Sequence, residues 1–450
     1  MKFRSLVVAI ACTAPGARAQ SLGVSTAPHP PGNVLLIVAD DVGSDMIGMF
    51  GQHPAAAPTP TLDALAANGV AFMSAYTDPV CSPTRACILT GRYGFRTGMG
   101  NAILPGVVDF SLPHSEVTIP ERLTAASRWH IENSAVGKWH LSAPPANVAL
   151  EPNLQGFDWF SGMPGNLYLG QTYYAHTKIE NGISLSSTTY VTTEQVDDAI
   201  ARTQSMREPW FLYLAFNAGH APWHVPPANL HSYALSGAPN ASAPEHYRAS
   251  VEALDTELGR LFASMDAAVL ARTTIFFIGD NGAPNEALLP PSIPGQSKGT
   301  LYEGGIHVPL IVSGHRVQHP GSRCYSLVNS VDLFPTVLDL FDTPPSDGTL
   351  RTLDGVSMMP YLVQPWCAPQ RDWVYCGKFT PNGFGPYVAQ GRMLRSARWK
   401  LIERDGQVDA LYDMASAQGE QVSVYGPAMT QEQQAAYGRC KKWMRGLVAP

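Results

Sequence analysis

The stretch Asn33-Val34-Leu35-Leu36-Ile37-Val38-Ala39-Asp40-Asp41 decides the fold class. From Val34 to Ala39 it is continuously apolar and rich in branched side chains, so both faces of the strand it forms must be covered, as in a parallel sheet between helices. Asp40 and Asp41 come immediately after, at the strand's carboxyl end. Two adjacent acids there repel each other unless a cation or hydrogen bonds compensate, and a metal explains the pair economically. Taken alone, the pair also reads as a turn or a helix cap. The pattern returns at Thr273–Gly279, which runs into Asp280-Asn281-Gly282. Three carboxylates and one amide oxygen then converge from two strand ends as a hard oxygen set, although Asp-Asn-Gly alone is a turn signal.

Between these strands helical and extended patterns alternate. Residues 61–67 and 118–127 read as helices, 70–73 and 131–136 as strands. The last leads into Gly137-Lys138-Trp139-His140-Leu141, where Lys138 and His140 would share one side of an extended backbone. A solvated lysine and a packed histidine are the bland alternative. A helix over 194–206 and a buried strand over 210–216 follow, ending in Asn217-Ala218-Gly219-His220-Ala221-Pro222-Trp223-His224. His220 falls just past the strand end, where a doubly wound sheet collects its ligands. His224 either packs or touches substrate, and zinc between the two is disfavoured because Pro222 prevents the helix that spacing needs. After a helix over 246–265, Lys298 enters the glycine-rich segment 295–305, which lacks the spacing of a phosphate-cradling Walker loop. A strand over 308–312 and a helix over 331–341 precede a Pro-, Trp- and Cys-containing boundary at 360–376. Short strands over 373–377, 392–396 and 399–402 and a helix over Gln431–Val448 close the chain.

The chain has 450 residues, 45% of them apolar, enough for a large domain plus a second unit. Lys2 and Arg4 before an apolar run at 6–11, then Ala17-Arg18-Ala19, read as a secretory signal over residues 1–19. No later stretch approaches the ~20 uninterrupted apolar residues of a membrane helix. The expectation is a soluble exported protein, whether secreted, periplasmic or lysosomal, with no membrane span. Loss of Lys2, Arg4 and Arg18 removes three positive charges, taking the formal net charge from -6 to -9. That balance argues against nucleic acid as a partner. Of the seven cysteines, Cys12 leaves with the signal and Cys81 has a chemical reading, so Cys87, Cys324, Cys367, Cys376 and Cys440 cannot all pair. Cys367 and Cys376 are close enough in sequence for a local disulfide, though spacing does not establish it. Asn240-Ala241-Ser242 is a glycosylation sequon.

Cys81-Ser82-Pro83-Thr84-Arg85-Ala86-Cys87-Ile88-Leu89-Thr90-Gly91 reads as a nucleophile at a helix start. Pro83 suits the first turn, the unpaired N–H groups there favour an anion, and Arg85 lies one turn on, where it can reach back to Cys81. This C-x-P-x-R-x4-T-G pattern resembles the sulfatase signature, whose cysteine is oxidised after synthesis to Cα-formylglycine. Asp40-Asp41, Gly137-Lys138-Trp139-His140-Leu141, His220, Asp280-Asn281 and Lys298-Gly299-Thr300-Leu301-Tyr302-Glu303-Gly304-Gly305 resemble that family's other motifs, in its order, over residues 33–413. Thr84 stands where serine is commonest, and the sequence after Leu411-Tyr412-Asp413 departs from the family's acidic, proline-bearing continuation. The loop Gly91-Arg92-Tyr93-Gly94-Phe95-Arg96-Thr97-Gly98 is similar to arylsulfatase B-like members, which act on sulfated N-acetylgalactosamine.

The resemblance implies an α/β fold: a large doubly wound, mixed and mostly parallel sheet flanked by helices over residues 20–365, then a smaller α+β domain with an antiparallel sheet over 366–450. It implies hydrolysis of sulfate monoesters, aryl or carbohydrate. One Ca²⁺ would be held by Asp40, Asp41, Asp280, Asn281 and modified Cys81. Cys81, Arg85, Lys138, His140, His220 and Lys298 would be the catalytic set, with Arg92, Arg96 and His224 as rim contacts. A formylglycine-generating enzyme would be a partner during maturation. The alternatives are a phosphonate monoester or phosphodiester hydrolase on the same scaffold, and a non-catalytic relative that binds sulfated glycans.

Overall fold

Five parallel strands form the centre of a ten-stranded sheet in the computed structural model, which describes residues 31–104, 109–168, 170–236, 238–345 and 352–448. Residues 1–19, read as an export signal, lie outside the described residues. Across the sheet the order is Ser322–Cys324, Gly69–Phe72, Leu310–Gly314, Thr273–Gly279, Asn33–Ala39, Trp210–Ala215, Glu132–Lys138, Trp159–Met163, His176–Glu180 and Ile183–Ser187. The run from Thr273–Gly279 to Trp159–Met163 is parallel, with antiparallel pairing on both flanks. Val38 pairs with Ile278 on one side and Ala215 on the other. Asp40, Phe216 and Asp280 therefore leave the sheet side by side at one carboxyl edge.

The apolar run of Asn33–Ala39 divides its side chains between two cores. Val34, Leu36 and Val38 face a layer with helices Cys81–Thr90, Ile119–Ala126 and Leu333–Leu340. Leu35, Ile37 and Ala39 face helices Pro60–Ala67, Val191–Ser205 and Ala243–Ser264. Each fully buried Leu, Ile or Phe contributes about 1.5–3 kcal/mol by leaving water, so covering both faces is the main stabilising term. Thr118 caps Ile119–Ala126 in a reciprocal box with Glu121, and Gly91 ends Cys81–Thr90 at φ 68°. A side chain at Gly91 would be strained at that φ and would press on the Phe334 ring.

A second sheet, antiparallel, orders Trp373–Thr380, Ala389–Ser396, Trp399–Arg404 and Ala410–Asp413. One face packs on Gln431–Val448 and on Cys87 and Tyr93 beside the helix at Cys81. The opposite face covers Tyr76, Leu301 and Ile306. The small sheet thus bears directly on the segments that carry Cys81 and Lys298.

Several details differ from the sequence reading. The strand expected at 131–136 continues to Lys138, and the helix expected at 194–206 begins a turn earlier, at Val191. Trp159–Met163 and the hairpin His176–Glu180 with Ile183–Ser187 extend the sheet where no strand was read. Cys367 and Cys376 are free thiols. Cys376 is buried within its strand among Val374, Met393 and Ile402, whereas Cys367 sits against the other core, so nearness in sequence did not bring them together.

Candidate active site

Cys81 is the first residue of its helix and only 1% exposed. Its Sγ lies 3.1 Å from His140 Nδ1, and His140 Nε2 lies 2.9 Å from the Ile103 carbonyl. A carbonyl only accepts, so Nε2 carries the hydrogen and Nδ1 meets Cys81 with a lone pair. Burial, reinforced by the charge of Lys138, holds His140 well below its ordinary pKa, and the ring is neutral. Burial also pushes the Cys81 thiol up, leaving an unmodified cysteine a poor nucleophile near neutral pH.

The acids gather where the strand register puts them. One ligand atom each from Asp40, Cys81 and Asp280 falls within 4.8 Å of the others. Asp280 Oδ1 accepts the Asp41 N–H at 3.0 Å, Asn281 Nδ2 donates to Asp41 Oδ1 at 2.7 Å, and Tyr247 donates to the Asp41 carbonyl at 2.6 Å. These bonds hold Asp41 at φ 61°, a left-handed conformation that costs a non-glycine residue about 1 kcal/mol.

Three cations face the three acids. Lys138 Nζ bonds Asp40 Oδ2, and Lys298 Nζ bonds Asp41 Oδ2 at 2.8 Å. Arg85 Nε and Nη2 both donate to Asp280 Oδ2, at 3.1 and 2.8 Å, and Nη1 donates to the Lys138 carbonyl at 2.8 Å. Arg85 therefore fixes Asp280 and the end of a third strand instead of reaching back to Cys81. Burial is the largest influence on Asp40 and Asp41 and would raise both, but Lys138, His220 and Arg85 together at Asp40, and Lys298 with His220 at Asp41, hold both below the usual range. Burial and the neighbouring Asp40 charge raise Asp280 despite Arg85.

A divalent cation fits this set. Asp40 Oδ1 and Asn281 Oδ1 are buried acceptors without a partner among the described residues, and both belong to the oxygen set read from the strand ends. Without an ion, three carboxylates match three cations; a divalent ion leaves the cluster net positive, suited to an anionic ligand.

His220 sits where the strand end predicts it. Its Nδ1 donates to the Ala221 carbonyl at 2.7 Å, leaving Nε2 facing Asn166 Nδ2 at 3.2 Å and Asp41 Oδ2 at 3.9 Å. Burial and the charge of Lys298 lower its pKa. Lys138 and His140 both enter the site, but not by the expected alternation along one extended side: the strand stops at Lys138, and His140 turns in at φ 61°.

The expected rim is placed elsewhere. Arg92 pairs with Glu116 at 2.8 Å and Arg96 with Asp354 at 2.9 Å, so both arginines brace the turn after the Cys81 helix. His224 stacks on Tyr173 at 3.7 Å, with Nδ1 on the Pro222 carbonyl and Nε2 on the Tyr190 hydroxyl. It packs, and burial lowers its pKa to about 4.

Other residues at the site escaped the sequence reading. Asn166 follows Trp159–Met163, and reading that strand would have put it at the same carboxyl edge. Tyr173 donates to the carbonyls of Asn217 and His220, at 2.6 and 2.8 Å, and steadies the histidine loop. Lys378 donates to the Gly299 carbonyl at 2.9 Å, while Glu303 binds Lys400 at 2.8 Å and Arg395 at 2.9 Å. These contacts anchor the Lys298 loop on the small sheet.

A family profile described as Sulfatase matches residues 32–343. N-acetylgalactosamine-6-sulfatase of Sus scrofa is 32% identical over 382 residues, covering 77% of this chain and 68% of that protein. Arylsulfatase A of Homo sapiens is 30% identical over 409 residues, covering 84% and 76%. The crystal structure of Ps i-CgsB in complex with k-i-k-neocarrahexaose has a TM-score of 0.76 at 24% identity, covering 93% of this chain and 92% of that one. Phosphonate monoester hydrolase SpPMH from Silicibacter pomeroyi has a TM-score of 0.69 at 20% identity, covering 92% and 95%. At these identities the two structures show the fold alone.

Proposed function

This chain belongs to the sulfatase family, and from that premise we propose that residue 81, converted from cysteine to formylglycine, is the centre of its hydrolysis of sulfate esters. It is a hydrolase of the alkaline phosphatase superfamily. A hydrated formylglycine would supply one hydroxyl to attack sulfur in line with the leaving alcohol and a second whose deprotonation expels sulfate. Asp40, Asp41, Asp280 and Asn281, with residue 81, would hold one Ca²⁺, whose charge favours an ionised hydroxyl and offsets the charge of the ester.

The chain's own side chains would do the rest. Lys138 and Lys298 would bind sulfate oxygens, and Arg85 would keep Asp280 in place beneath them. Lys298 would protonate the leaving oxygen, and so would His220 once its Nε2, which holds only a lone pair while Nδ1 carries the hydrogen, has taken up a proton. His140, neutral and with its Nδ1 lone pair on residue 81, is suited to take the proton when sulfate leaves. The observation that carries this reading is the 3.1 Å contact of Cys81 with His140 beside Asp40 and Asp280.

Because Cys81 is buried in the fold, its oxidation by a formylglycine-generating enzyme would have to precede folding, in keeping with export directed by residues 1–19. The division at 365/366 into a catalytic domain and a small-sheet domain remains part of this proposal. Sulfate released from 4-nitrophenyl sulfate, with and without a calcium chelator, tests the reading. Turnover that chelation leaves untouched would remove calcium from it, and no release from the matured enzyme would defeat it.

A further inference from the structure

The cavity beside the two proposed proton donors has a chemistry of its own. Asp41, His220, Trp223, Asn285, Glu286 and Lys298 line a space of about 250 Å³. Sites for drug-sized ligands span ~300–1,000 Å³, so this one suits a single ring. The leaving oxygen must lie within reach of both Lys298 and His220 for both to protonate it, which puts the organic part of the ester here.

The walls distinguish among rings. Trp223 is half-buried, with one edge against Tyr247 at 5.9 Å between ring centres, and offers the cavity an aromatic surface for an aryl ring or the C–H face of a sugar. Asn285 Oδ1 accepts the Gly295 N–H at 2.7 Å, leaving its side-chain NH₂ without a protein partner among the described residues. Lys298 bonds Asp41 at 2.8 Å and is assigned to the ester sulfate itself, so it is not free for a second anion on the ring. Glu286 is exposed at the mouth, and no lysine or arginine among the described residues pairs with it. A carboxylate so placed accepts hydrogen bonds from ring hydroxyls and repels a second sulfate or carboxylate on the same ring.

We propose that this cavity is the leaving-alcohol subsite and that it takes one otherwise uncharged, monosulfated ring, with Glu286 as the residue that rejects a second anionic group. The inference rests on the assignment of Lys298 and His220 as donors to the leaving oxygen.

Initial rates of the matured enzyme on N-acetylgalactosamine monosulfate, the corresponding disulfate and 4-nitrophenyl sulfate test it. The expected kcat/KM is at least tenfold lower for the disulfate than for the monosulfate. Glu286→Gln should narrow that ratio about tenfold, mainly through KM, and Glu286→Lys should narrow it further. Equal wild-type rates on the two sugars, or a ratio that ignores the charge at position 286, would overturn the subsite while aryl sulfate turnover upheld the sulfatase chemistry. Failure on all three substrates would overturn both.

Discussion

His140 presents an unprotonated Nδ1 to Cys81 Sγ at 3.1 Å, because its other nitrogen is committed to the Ile103 carbonyl. The pairing separates two steps that a single general base would merge. If His140 serves only the expulsion of sulfate, His140→Gln should still release about one equivalent of alcohol per enzyme in a fast phase, then turn over ~10²–10⁴-fold more slowly. Stopped-flow measurement of 4-nitrophenol checks this. A variant with a slow first turnover and no burst would place His140 in the attack step instead.

Calcium should stabilise the fold as well as the reaction. At 100 times its dissociation constant a ligand adds about 2.7 kcal/mol, readable as a calcium-dependent rise in melting temperature. Asp40→Asn should abolish most of that rise by weakening the oxygen set. Melting curves that ignore calcium in the wild type would contradict the metal assignment.

Arg85 is expected to be structural and electrostatic at once. Arg85→Met leaves Asp280 buried without its partner, and breaking such a pair costs about 3–5 kcal/mol. Denaturant unfolding should show the loss. A change under 1 kcal/mol would mean that Asp280 is either neutral or satisfied by other groups.

Acid stability should carry opposing contributions. Burial raises Asp78 to about 6, against hydrogen bonds from the Gly377 N–H and the Cys87 thiol. Its folded pKa exceeds the unfolded one, so its contribution is fully present below about pH 4 and lost as pH rises through 6, by about 3 kcal/mol for two units. His224, lowered to about 4, works the other way: its contribution is present above about pH 6.5 and lost as pH falls towards 4. Asp78→Asn should therefore remove a falling component of stability between pH 4 and 6, and His224→Gln a rising one. Equal slopes for both variants and the wild type would refute the assignment.

How far the sequence could be read follows from which signals are local. Asn33–Ala39, Trp210–Ala215 and Thr273–Gly279 are buried on both faces, so their apolar runs are unmistakable, and the acids and histidine just beyond them followed directly. Trp159–Met163 contains Ser161 and Gly162, and Ile183–Ser187 is largely exposed, so neither gives that pattern. Asn166 was lost with the first of them. His140 lies beside Lys138, but the extended alternation read for the pair does not bring it there, since its left-handed backbone leaves no trace in periodicity. The arginines of the Gly91–Gly98 loop misled because charge in a motif does not tell an ion pair from a ligand contact. Lys378 and Tyr173 reach the site from distant segments, and such pairings leave no local signal in a single sequence.

The central claim is most directly tested by the mass of the proteolytic peptide that contains residue 81, taken from enzyme that turns over sulfate ester. The account predicts a peptide that has lost sulfur and carries an aldehyde, detectable as its hydrate or hydrazone. An intact thiol at position 81 in fully active enzyme would contradict it.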